Sequence, residues 1–182
     1  MDSDGYLSQL ADIFNGITVN TPSISAIIAI ALAGVLLLAS GFASASEIAF
    51  FSLSPSDRND IDERNHPSDD KISALLGDTE RLLATILITN NFVNVTIIML
   101  CNFFFMNVFV FHSPLAEFLI LTVILTFLLL LFGEIMPKIY SAQKTLAFCR
   151  FSAPGIYFLE KVFRPIATAV SYTHLTLPTS DL

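Results

Sequence analysis

The residues of this chain best suited to chemistry lie where polar groups are costly. In "LLLLFGEIMPKIY", Leu128 to Tyr140, a lipid-soluble run leads straight into Glu134, Pro137 and Lys138. A charge near the bilayer centre costs roughly 2.5–3.5 kcal/mol on insertion scales, so an intramembrane acid reads as functional by default. In an α-helix Pro137 cannot donate to the carbonyl four residues back, which frees the Gly133 oxygen beside the Glu134 carboxylate. Broken helices at that depth are tolerated where the exposed backbone lines a cavity or holds an ion. Lys138 can snorkel to the headgroups. The alternative is an ordinary kink near a helix end, with Glu134 wetted from one side.

Two other stretches repeat the pattern. In "ASGFASASEIAFFSLS" Ser40, Ser44 and Glu47 fall at i, i+4 and i+7, one face of a helix. The same stretch also reads as a strip of small residues for close helix packing. In "TILITNNFVNVTIIML" Asn91 and Asn94 share a face at i, i+3, with Asn90 alongside. Interhelical hydrogen bonding would also explain them, at only about 0.6 kcal/mol each. The pooled set contains hydroxyls, amides, a freed carbonyl and a carboxylate, with no thiolate or imidazole. Such hard oxygen ligands suit Mg²⁺ or Ca²⁺ rather than Zn²⁺ or copper. His66, His112 and His174 fall in loops or the tail.

The elements that must position these groups follow from composition. Of 182 residues, 54% are hydrophobic and 14% charged, which marks a membrane protein. Long charge gaps run from Ile13 to Ser46, Leu82 to Ala116 and Phe118 to Gly133. Each holds a helix of about 20 residues, enough for a hydrocarbon core of roughly 30 Å. The expected fold is all-α integral membrane, with spans near Ser23–Phe50, Leu82–Val108 and Leu115–Met136. Thr21-Pro22, Asp78 or Thr79, and Ser113-Pro114 supply the starts. Asp2, Asp4 and Asp12, with no Lys or Arg ahead of the apolar region, do not make a cleavable signal peptide.

All nine basic residues lie between spans one and two or after span three. The positive-inside rule therefore puts the 54–80 connection and the C-terminal segment in the cytoplasm, and segment 1–22 and the 109–114 turn outside. The 54–80 connection reads as two short helices, started by Ser54-Pro55 and after His66-Pro67. Segment 139–170 reads as juxtamembrane helix, and membrane lipid is the first partner. A net charge of −7 with no basic face excludes nucleic acid as a partner. Cys101 and Cys149 make neither a disulfide framework nor a CxxC site. No HExxH, GxSxG or phosphate loop supports an enzyme.

"SGFASASEIAFFSLS", "TERLLATILITNNFVNV" and "GEIMPK", in this order and spacing, resemble the transmembrane domain of the CorB/CorC and CNNM (cyclin M) magnesium transporters. The resemblance covers about Ile24 to Ala169. It implies a homodimeric three-span domain of the plasma membrane that moves Mg²⁺, with export driven by the inward Na⁺ gradient. Carried onto matching positions, it implies an ion held by Ser40, Ser44, Asn91, Asn94, the Gly133 carbonyl and Glu134, with Glu47 in packing or gating. It also implies a cytoplasmic CBS-domain pair in the full-length parent, beyond this chain. The last stretch, "SYTHLTLPTSDL" (171–182), reads as a non-native tail that loses the helical pattern. The competing expectation is a membrane anchor that does not transport and instead docks cytoplasmic partners.

Overall fold

The computed structural model describes residues 18–111 and 113–175, and helix dominates it. Helix α1, Ile24–Phe51, begins where the Ser23 hydroxyl accepts the Ala26 N–H, so the cap is Ser23 rather than Thr21. Its buried face is made largely of Ala26, Ala29, Ala33, Ala43 and Ala49, while Leu32, Val35 and Leu38 point outward. Small residues inside and large apolar ones outside suit close helix packing within lipid.

Two short helices follow in the connection, α2 at Pro55–Asp62 and α3 at Asp69–Leu76, as the sequence predicts. Ser54 and Asp57 form a reciprocal capping box around a proline in the first turn of α2. Helix α4, Thr79–Val108, starts at Asp78, whose carboxylate accepts the Arg81 N–H. It runs antiparallel to α1 and packs along it.

The third span is α5, Pro114–Leu128, then a π-helical segment, Leu129–Ile135, then α6, Met136–Gln143. Three stretches, Ile24–Phe51, Thr79–Val108 and Glu117–Gln143, are long and apolar enough to cross a membrane. Helix α7, Thr145–Leu175, continues past residue 170, where the helical pattern was expected to end. The rest of the supposed tail, 176–182, lies outside the described residues, as does nearly all of segment 1–22.

One contact escapes any reading of periodicity. Strands β1, Thr18–Val19, and β2, Phe109–Val110, pair antiparallel and tie the start of span one to the end of span two. The Ser23 hydroxyl also donates to Asn107 at 3.1 Å. At the opposite end, Phe50, Ile72, Leu82, Cys149 and Ile156 form a core joining α1, α3, α4 and α7. Within it Asp69, fully buried, accepts both Nε and Nη2 of Arg150 at 2.9 and 3.0 Å, and the His66 N–H at 3.0 Å. Burial pushes the Asp69 carboxyl up. The Arg150 and His66 hydrogen bonds outweigh that and hold it below the usual carboxylate range.

Candidate cation site between the spans

Ser40 is the meeting point of the three spans. It is fully buried on α1, and its hydroxyl faces the Asn94 amide oxygen at 2.6 Å and the Asn90 amide oxygen at 2.9 Å, both from α4. A hydroxyl has one hydrogen, so two amide oxygens around it leave acceptor capacity unspent. The third span arrives at Gly133, where a Cβ would lie 3.2 Å from the Ser40 oxygen. One turn further along α1, Ser44 is fully buried and its hydroxyl has no hydrogen-bond partner. A buried hydroxyl without a protein partner carries a desolvation cost that a bound ion or water would remove.

The π segment adds a second carbonyl that Pro137 deprives of a donor. Met136 donates to Leu131, five residues back. In that register residue 137 is the donor due to Phe132, and a proline has none. The sequence expectation, built on α geometry, places the gap at Gly133; the π bond from Met136 to Leu131 adds the Phe132 carbonyl to it. The Phe132 oxygen lies 3.2 Å from where a Cβ on Gly41 would stand, and the Pro137 ring lies 2.9 Å from it. Only a glycine at position 41 lets α1 and the broken span come this close. Below the break, Ser141 donates to the Ala45 carbonyl at 2.6 Å and keeps α6 against α1.

Glu134 is half-buried within the π segment, next to Gly133. Lys138 does not reach outward to headgroups as expected: its ammonium pairs with Glu47 on α1 at 3.0 Å. The i+7 position of Glu47 from Ser40 puts it at the depth of Lys138.

Of the predicted ligands, the structure brings Ser40, Asn94 and Gly133 together and leaves Ser44 one turn away on the same helix. Asn91 is exposed on α4. Asn90, which the sequence reading passed over as a ligand, takes the place beside Ser40. The signal was present: Asn90 and Asn94 are i, i+4 partners next to the buried line Ile86, Val93, Ile97 and Cys101. Among the described residues, no three His, Cys, Asp or Glu side chains gather as a metal-binding group. A cation here would rest on neutral oxygens, with a carboxylate supplied from the adjoining π segment.

The cyclin M transmembrane N-terminal domain family matches residues 30–176, which include every element that builds this cluster. The chain belongs to that family. Two curated relatives are a UPF0053 protein of Haemophilus influenzae, 30% identical over 132 residues, and a UPF0053 protein of Synechocystis, 27% identical over 132 residues. Each alignment covers 72% of this chain but only 30% and 37% of the relative. The chain thus spans about a third of the length of the curated relatives it matches.

Proposed function

We propose that this domain moves Mg²⁺ across the plasma membrane as the transport part of a larger protein, exporting it against Na⁺ entry. Its N-terminus is outside and its C-terminus cytoplasmic, as the basic residues direct. Membership of a family linked to divalent-cation transport, rather than to enzyme catalysis, supports the reading. The observation that carries it is the convergence of three spans on Ser40, where two amide oxygens share one hydroxyl hydrogen and Ser44 is unpartnered. Hard oxygens of this kind match Mg²⁺, which keeps several waters and takes few protein ligands.

Isothermal titration of the purified domain with MgCl₂, in detergent and in lipid nanodiscs, tests the binding. The reading requires a saturable signal at millimolar Mg²⁺ or below, lost in Glu134→Gln. No signal in either medium would leave the anchor reading, which the tight Gly41–Pro137 and Ser141–Ala45 contacts favour. Efflux from proteoliposomes holding the full-length parent, with and without an imposed Na⁺ gradient, tests the coupling.

The working unit on this reading is a homodimer joined through spans two and three. Asn102, Thr122 and Thr126 are exposed around a groove of about 400 Å³ between those spans. Polar groups facing lipid tails are unfavourable, and a second copy would cover them. The cytoplasmic CBS-domain pair of the parent would follow α7.

A further inference from the structure

We propose that Glu47 is a second cation acceptor, at the cytoplasmic mouth of the site, and that Lys138 occupies it as a tethered counter-ion when no divalent cation is there. The inference rests on the transport reading above.

Three observations meet at this point. Ser40, Ser44 and Glu47 lie along one face of α1 at i, i+4 and i+7, a path of about 10 Å at 1.5 Å per residue. Its middle member is the buried Ser44 hydroxyl that no protein group satisfies. Its last member is closed by the Lys138 ammonium at 3.0 Å, which reaches over from the span that carries Glu134 four residues earlier. The oxygen path thus runs from the amide-flanked Ser40 hydroxyl, past an unpartnered one, to a carboxylate held by a side-chain ammonium.

The strength of the pair suits exchange. Glu47 and Lys138 are both about one third exposed, at 36%. Ion pairs in contact with water are worth little net free energy, because solvent and side-chain entropy offset the Coulomb gain. A divalent ion carries twice the charge of the ammonium and can displace it without breaking other contacts. Lys138 would swing aside as the ion arrives and return as it leaves, so Glu47 is never left unpaired in a partly dry setting.

The test is a double-mutant cycle read from the Mg²⁺ concentration at the midpoint of thermal stabilisation, with Glu134→Gln as reference. Lys138→Gln removes the competitor, and the midpoint should fall roughly two- to fivefold, the range a weak ion pair allows. Glu47→Gln should raise the midpoint, and adding Lys138→Gln to it should change nothing further. Lys138→Arg should restore wild-type behaviour. If Lys138→Gln leaves the midpoint unchanged while wild type responds and Glu134→Gln does not, this inference fails and the transport reading stands. If the Lys138→Gln gain persists in the Glu47→Gln background, Lys138 acts as a diffuse positive charge and the pairing idea is wrong. If wild type shows no Mg²⁺-dependent shift at all, both readings fall.

Discussion

At the scale of single residues, Ser44 and Glu134 make opposite demands on the empty protein. Ser44 contributes a buried hydroxyl with no partner. Ser44→Ala should therefore raise cation-free stability, by about 1 kcal/mol, because the orphan's desolvation cost disappears. The same change should weaken Mg²⁺ binding by the loss of one neutral ligand. Glu134→Gln should cost more, at least about tenfold, enough to take binding out of the measured range, since a charge-assisted contact is about twice as strong as a neutral one. Melting curves with and without MgCl₂ check both. A Ser44→Ala protein that melted earlier without Mg²⁺ would show that the hydroxyl has a partner after all.

At the scale of elements, the break in span three depends on a proline and a glycine in contact. Gly41→Ala would drive a Cβ to 2.9 Å from the Pro137 ring and 3.2 Å from the Phe132 oxygen. Overpacking of this kind costs about 1–3 kcal/mol. Adding Pro137→Ala removes the ring clash, so the double variant should recover part of the loss but not all, because the Phe132 oxygen remains. Pro137→Ala alone restores an N–H at the break. It should let a continuous α register form and lower Mg²⁺ affinity without touching a side-chain ligand. Thermal denaturation and titration of the four proteins complete the cycle; additive effects would mean that the two residues do not meet.

At the scale of the molecule, Asp69 and Arg150 join the connection between spans one and two to α7. Breaking a buried pair leaves a charge uncompensated, so Arg150→Ala should cost about 3 kcal/mol. The pH dependence has a fixed sign. The folded Asp69 carboxyl lies below its unfolded value of about 3.9, so the pair's stabilisation is fully present above that pH. It is lost as pH falls through the folded value. Wild type should thus lose more stability than Asp69→Asn below about pH 4, and the two profiles should run parallel above pH 5. Profiles parallel throughout would mean that Asp69 is not held charged by Arg150. Mass photometry in mild detergent should find two copies per particle, and only single copies would refute the proposed dimer.

The sequence by itself determined the class of protein and the depth of its polar groups. Charge gaps and caps located three spans and two connecting helices, with the end of span three seven residues short of Gln143, because length and apolarity are local properties that lipid enforces directly. Ser40, Asn94 and Gly133 were legible as neighbours only through the resemblance of their three motifs to the family. Which amide faces Ser40 was not, since Asn90 and Asn91 differ by about 100° around α4 and only the packing against α1 selects one. The π register was equally hidden: proline signals a break, but its frame depends on Gly41 admitting the Phe132 carbonyl and the Pro137 ring. Lys138 could have faced lipid or protein, and the depth of Glu47 on a different span decided it. Tertiary structure alone settled these points, because each depends on how two helices are rotated against each other, which no single helix encodes.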